Sequence, residues 1–397
     1  MILSEKAKQI KPSSTLAITA KANQMKVDGI DVVGFGAGEP DFDTPDHIKA
    51  AAIAAINAGF TKYTPVAGTV ELKQAICKKF EQDNQLTYKP NQIVVSNGAK
   101  HSLTNAFMAI LNPGDEVIIP APYWLSYPEM VALADGVPVI VQTKVEDDYK
   151  VTIDQLNAAL TSKTKAVIIN SPSNPTGMIY DEAALRVIAD FVVKNDLFVI
   201  SDEIYEKLIY DGVKHTSIAT LGEEIYKRTI LVNGVSKSYS MTGWRIGYTA
   251  SSVEVASLMS NIQSHAASNP NSIAQKATVA AIVGPQECVE EMRIEFDSRR
   301  LYMVDRLKNI PNVSASTPKG AFYLFIDVSA TFGKSCDGKT IANADDFADL
   351  VLVKENVAVI PCGDFGSDNH IRISYAISLK SIEKGMDRLE RFVKSLS

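Results

Sequence analysis

"KAVIINSPSNPTGMIYDEAALRVIADFVVKNDLFVISDE" spans residues 165–203. It opens on an apolar run and turns through a loop stiffened by two prolines and a glycine. A segment with helical periodicity follows over 181–196, and then a second apolar run, "LFVISDE" (197–203). Uninterrupted apolar strands joined by a helix predict parallel strands buried on both faces. Outward from this unit the pattern repeats. "QIVVS" (92–96) precedes the helical "HSLTNAFMAIL", followed by "DEVIIP" (115–120) and "VPVIVQ" (137–142). Another short helix is expected directly after residue 203, and "RTILVNGVSK" (228–237) closes the series. The fold class is therefore α/β with a mainly parallel sheet flanked by helices.

Beyond about residue 275 the texture changes. A long helical stretch is expected over 275–309, then "GAFYLFIDV" (320–328), "VAVIPC" (357–362) and "HIRISYA" (370–376) as strands. The amphipathic "SIEKGMDRLERFVKSL" ends the chain. This predicts a smaller α+β domain built from 1–40 plus 286–397, beside a large domain over 41–285. The 397 residues suffice for both, at roughly 100 to 200 residues per domain.

Hydrophobic residues at 46% and charged residues at 22% are those of a globular protein with a real core. A net charge of −6 without basic runs argues against nucleic acid as a partner. The four scattered cysteines, Cys77, Cys288, Cys336 and Cys362, form neither a disulfide framework nor a zinc spacing, which fits a reducing compartment. The start lacks a signal-peptide apolar region, and no apolar run approaches the roughly 20 residues that span a bilayer. A cytoplasmic location without a membrane partner is expected. The five histidines are isolated in sequence, so no metal site is expected.

A parallel sheet binds ligands at the carboxyl ends of its strands. "IVVSNGAKHS" places Gly98 and Ala99 where exposed N–H groups at a helix start suit a phosphate. In "GVSKSYSMTGWRIGY" (234–248), Ser236 and Arg245 can join that phosphate, or Arg245 can serve a structural ion pair. Asp202 stands at a strand end, either capping the next helix or holding a heterocyclic nitrogen protonated, with Tyr205 beyond it to reach a ring oxygen. The "NSPSNPTG" loop would hold Asn174 rigidly, and its X-Pro bonds at Pro172 and Pro175 are candidates for the cis form. Lys237 is central. A lysine amine forms a Schiff base with an aldehyde, and a nearby cation such as Arg245 lowers its pKa.

Together "SNPTG", "SDEIY" and "SKSYSMTGWRIGY" resemble the fold-type I, class I aminotransferases that use pyridoxal 5'-phosphate. The likeness runs from "AGEPDFDTP" (37–45) through "KYTPVAG" (62–68) and "PYWLSYPEM" (122–130) to "HIRISYA". It is nearest to the bacterial aspartate aminotransferase subgroup, some of whose members also accept prephenate. The resemblance implies a seven-stranded sheet, with Lys237 carrying the coenzyme as a Schiff base and moving the proton. It implies Asp202 on the pyridinium nitrogen, Tyr205 and Asn174 on the ring oxygen, and Trp124 stacked on the ring. Gly98, Ala99, Ser236 and Arg245 would bind the phosphate, with Lys100 adjoining that coenzyme turn. Tyr63 would reach the phosphate of a neighbouring subunit in a homodimer. Arg372 would clamp the substrate α-carboxylate, with the Gly38 backbone nearby.

Another subgroup reads the side-chain carboxylate with an arginine, but the matching position in "QSHAASNP" (263–270) is Ser264. Here the resemblance assigns that task to Lys100, whose bland alternative is a solvated lysine at a helix start. "KPSSTLAITAKA" (11–22) resembles the segment that closes over substrate, with Ser13, Ser14 and Thr15 unassigned individually. The expected reaction exchanges an amino group between L-aspartate and 2-oxoglutarate, with prephenate as a possible further acceptor. Alternatives on the same fold are an aromatic or kynurenine aminotransferase and a C–S lyase. Outside enzymes the alternative is an idle coenzyme-binding effector domain, which would need a fused DNA-binding segment for which the resemblance leaves no room.

Overall fold

The computed structural model describes residues 3–397. Seven strands form the main sheet: β1 (Ile93–Ser96), β2 (Glu116–Ala121), β3 (Val137–Gln142), β4 (Thr164–Asn170), β5 (Phe198–Asp202), β6 (Thr229–Gly234) and β7 (Gly247–Ala250). Their order across the sheet is β1-β7-β6-β5-β4-β2-β3. All neighbours are parallel except β7, which runs antiparallel to both β1 and β6. The apolar runs of β1, β5 and β6 are buried almost throughout because helices cover both faces, as in the helix Glu182–Lys194 between β4 and β5. The Asp181 side chain starts that helix by accepting the Ala184 N–H at 2.9 Å.

The reversal of β7 brings a distant residue to the ligand-binding edge. Its amino end lies level with the carboxyl ends of its neighbours, with Gly247 opposite both Ser96 and Gly234. Arg245, just before β7, therefore arrives at the same edge as residues that follow β1, β5 and β6. Close packing is possible there because Gly247 has no side chain: a Cβ would lie 2.2 Å from the Ala99 nitrogen.

A second, antiparallel sheet has the order β9-β10-β8, from β8 (Tyr323–Asp327), β9 (Ile360–Pro361) and β10 (His370–Ser374). The terminal helix Leu379–Ser395 buries Ile382, Met386, Leu389 and Phe392 against this part of the chain. Val33–Gly34 pairs in parallel with Val357–Ala358, which ties the amino-terminal segment to it.

Three local expectations are corrected, and one strand is added. The stretch 275–309 is two helices, Ser272–Val283 and Glu287–Leu307. Gly284 is extended at their break (φ −76°, ψ −171°), because Pro285 disfavours helical backbone at the residue before it. "VAVIPC" divides between two partners, Val357–Ala358 with Val33–Gly34 and β9 with β10. No helix follows residue 203 directly; turns intervene, and the next α-helix is Glu223–Arg228. Strand β7 was not legible as a strand, being short and opened by a glycine.

Those turns enclose a polar cluster that the sequence spacing hides: Glu203, Glu206 and His215 lie together. Their oxygens already have donors. Glu203 accepts from Ser201, Ser217 and His215 at 2.7–2.9 Å, while Glu206 pairs with Lys79 and Asn84. The lysine supplies the cation there and holds the Glu206 carboxyl down to about 2, against the upward push of burial. This network fixes the segment on which Asp202 and Tyr205 stand.

Candidate active site

Asp202 ends β5 and is 3% exposed. Its Oδ2 accepts the Tyr127 hydroxyl at 2.7 Å and its Oδ1 accepts the Ile204 N–H at 3.2 Å. Among the described residues it has no ion-pair partner. Burial therefore dominates, and the carboxyl is pushed up to about 6 despite those two hydrogen bonds. A buried carboxylate of this kind gains from a cation placed beside it, such as a protonated ring nitrogen.

Lys237 follows β6 in a turn and is half-buried, with Nζ donating to the Gly38 carbonyl at 2.5 Å. Burial lowers its pKa to about 8; Arg372 and Arg245 add repulsion, while Glu39 and Asp202 oppose the shift. The cation effect expected of Arg245 is thus present but smaller than desolvation.

The turn after β1 is built to be approached closely. Gly98 has φ +86°, and a Cβ on it would lie 2.4 Å from Arg245 Nη2. No side chain caps the helix Ala99–Ile110 that begins there. Uncapped N–H groups, the Ser236 hydroxyl and the Arg245 guanidinium form a donor set suited to a phosphate. Arg245 makes no ion pair among the described residues; it donates to the Thr242 carbonyl at 2.9 Å. His101 Nδ1 accepts the Asn97 N–H at 3.2 Å, which steadies this turn. Behind the turn, Gln263 is fully buried and holds Ser96, Asn105, Val95 and Val66 together at 2.6–3.0 Å.

Arg372 lies on β10 and is 2% exposed. It donates to Asn174 Oδ1 at 2.9 Å and to the Gly36 carbonyl at 3.2 Å, while its Nε has no partner among the described residues. Its guanidinium carbon sits 4.4 Å from the Tyr323 ring centre and 5.3 Å from that of Phe365. No carboxylate pairs with it among the described residues. The Asn174 loop is pinned by Asn170, which accepts the Asn174 N–H at 2.8 Å and donates to the Asp202 carbonyl at 2.9 Å. The Pro172 and Pro175 bonds are cis, as is that of Pro122.

These side chains enclose a cavity of about 380 Å³. Of the residues expected at the site, Gly38, Ala99, Lys100, Trp124, Asn174, Asp202, Tyr205, Ser236, Lys237, Arg245 and Arg372 line it. Gly98 stands behind the lining, in the turn. Tyr63 is not part of the cavity and is 91% exposed. The Gly38 backbone, expected near the substrate carboxylate, lines the cavity and offers its carbonyl to Lys237. Lys100 is exposed as a residue, yet its ammonium lies 5.0 Å from the Trp124 ring centre, and partial desolvation plus Arg245 lowers its pKa.

Sequence reading missed Tyr127, Asn170 and Tyr323, which also line the cavity. Tyr127 had a findable signal, because it stands three residues after Trp124 in "PYWLSY". Tyr323, inside an apolar strand, had none.

The profile described as aminotransferase class I and II matches residues 30–389. The chain is 53% identical to an aspartate aminotransferase from Bacillus sp. (strain YM-2), covering 99% of each. It is 48% identical to an aspartate/prephenate aminotransferase from Cereibacter sphaeroides, covering 100% of this chain and 99% of that protein. The structure of an aspartate aminotransferase from Rhizobium meliloti superposes with a TM-score of 0.97 at 41% identity over the whole of both chains. The chain belongs to the class I and II aminotransferase family.

Proposed function

From the premise that this chain is a pyridoxal-phosphate-dependent aminotransferase, we propose that it moves the amino group between L-aspartate and 2-oxoglutarate, giving oxaloacetate and L-glutamate. The observation that carries the substrate choice is a pair of cations facing one cavity, Arg372 and Lys100, neither with a carboxylate partner among the described residues. Two unpaired cations call for a dicarboxylate. The relatives named for aspartate support the same reading.

When bound, pyridoxal phosphate supplies an aldehyde that takes up the amino group and a cationic ring that draws electrons from the substrate α-carbon. Asp202 would hold the ring nitrogen protonated, its buried carboxylate gaining a cationic partner. Tyr205 and Asn174 would serve the ring oxygen, and Trp124 would pack on the ring. Ser236, Arg245 and the amino end of Ala99–Ile110 would hold the phosphate. Arg372 grips the α-carboxylate through two parallel N–H donors. Lys237 takes the α-proton and returns it; a pKa near 8 keeps part of its amine neutral at physiological pH. Lys100 meets the distal carboxylate as a point charge, which discriminates less sharply than a guanidinium fork.

The second reading adds prephenate, favoured by the exposure of Lys100 in the cavity lining and by the relative named for both substrates. We further assign Tyr63 to the phosphate of a second subunit, since so exposed an aromatic on a loop fixed by Gln263 and Gln275 asks for a partner. In the amino-terminal segment, Ser13 caps the Ser14–Val27 helix, while the Thr15 hydroxyl is unpartnered beside the cavity and is assigned to the substrate's distal end. We take 41–285 as the coenzyme-binding domain and 1–40 plus 286–397 as the domain that closes on it, in a cytoplasmic enzyme.

Borohydride treatment of purified holoenzyme is expected to fix the coenzyme covalently on Lys237, and Lys237→Ala to lose transamination. Full turnover by Lys237→Ala refutes the assignment. Half-reaction spectroscopy should show aspartate and glutamate converting the coenzyme faster than uncharged amino acids do.

A further inference from the structure

Tyr323 opens β8 and has no part in the reaction assigned to Lys237 and its neighbours, yet it stands between two groups that do. Its hydroxyl is 3.0 Å from that of Tyr205, and their rings meet edge to face at 82°. Its ring lies under the Arg372 guanidinium. The register explains this placement. Arg372 pairs with Phe325 and Ser374 with Tyr323, so Tyr323 is the diagonal neighbour of Arg372 on the same sheet face. Tyr323 is 1% exposed and lines the cavity.

A phenylalanine would fill the same volume without a hydroxyl to desolvate, so packing alone does not call for tyrosine here. In a bond between two phenols only one hydroxyl donates. Burial pushes both hydroxyls up and Arg372 opposes it at both, but Tyr205 is raised further by Tyr323 and Asp202. Tyr323 is thereby the more acidic phenol and the better donor. If it donates, the Tyr205 proton is left free to point into the cavity.

We propose that Tyr323 is a positioning residue for transamination: its hydroxyl donates to Tyr205 and aims the Tyr205 proton at the coenzyme ring oxygen, while its ring seats Arg372 for the substrate carboxylate. This rests on the proposed roles of Tyr205 and Arg372.

The test uses holoenzyme of the parent, Tyr205→Phe, Tyr323→Phe, the double variant and Tyr323→Leu. A donor to the ring oxygen stabilises negative charge there, so losing it raises the pH at which the bound coenzyme changes absorbance. Tyr205→Phe should raise that pH by about one unit, and Tyr323→Phe by about half a unit in the same direction. The double variant should shift no further than Tyr205→Phe alone. KM for aspartate should stay within about twofold in Tyr323→Phe, which keeps the ring, and rise about tenfold in Tyr323→Leu, which loses it. If Tyr205→Phe shifts the transition and Tyr323→Phe does not, or if their shifts add, the relay is overturned while the Tyr205 role stands. An equal KM in the two Tyr323 variants overturns the seating of Arg372. If Tyr205→Phe itself shifts nothing, the role given to Tyr205 fails and the relay with it.

Discussion

Arg372 and Lys100 line one cavity, but their surroundings differ in kind. Arg372 is buried, held by Asn174 and Gly36, and close to the Tyr323 and Phe365 rings. Lys100 is an exposed residue of the cavity lining, its ammonium 5.0 Å from the Trp124 ring centre. A guanidinium fixed on several sides presents one geometry, and a flexible ammonium presents many. The group common to every amino acid substrate is therefore met by the rigid cation, and the group that varies is met by the mobile one.

The largest test of this contrast removes the rigid end. Arg372→Leu should lower kcat/KM by about 10³-fold for aspartate and phenylalanine alike, since both lose the same charge-paired anchor. A loss confined to aspartate would reverse the assignment of the two ends.

The floor between them is next. In coenzyme-free protein the Asp202 carboxyl is raised to about 6. The folded state then binds its proton more tightly than the unfolded state, so this group's contribution to stability falls as pH rises from about 4 to about 6. Coenzyme-free Asp202→Asn should accordingly be more stable than the parent by about 3 kcal/mol at pH 7 and equal to it near pH 4, by denaturant titration. Equal stability at both values would mean that the carboxylate is better solvated than its burial implies.

Removing the mobile end comes third. Lys100→Ala should lower kcat/KM for aspartate about 30-fold and for phenylalanine less than about threefold. Equal losses would show that Lys100 does not read the distal charge. The smallest effect is that of salt. Between about 0.05 and 0.5 M, KM for aspartate should rise about twofold through the exposed Lys100 while KM for phenylalanine holds, because exposed charges are screened and buried ones are not.

Much of this site was legible because its residues follow apolar runs whose burial on both faces leaves little ambiguity. Asp202 after "FVIS" and Ser236 with Lys237 after "ILVNG" are of this kind. Tyr323 was illegible for the converse reason: within "GAFYLF" a tyrosine reads as one more core aromatic, and only strand pairing brings it under Arg372. The place of Arg245 depended on β7, whose "GYTA" carries little strand signal and whose direction no local pattern fixes. The fracture at Pro285 was present in the sequence, but helical periodicity on both sides outweighed a single breaker in the reading.

Apolar run length, glycine and proline act between near neighbours, so the sequence by itself determined the long apolar strands of the main sheet, the stiff Asn174 loop and the turn at Gly98. Which charges stay unpaired is a property of space. Arg372 and Asn174 are 198 positions apart, and Asp202 meets Tyr127 across 75. Only the tertiary packing, by excluding water from those groups, decided that one carboxyl rises to about 6, that one lysine falls to about 8, and that a buried guanidinium is left facing a cavity.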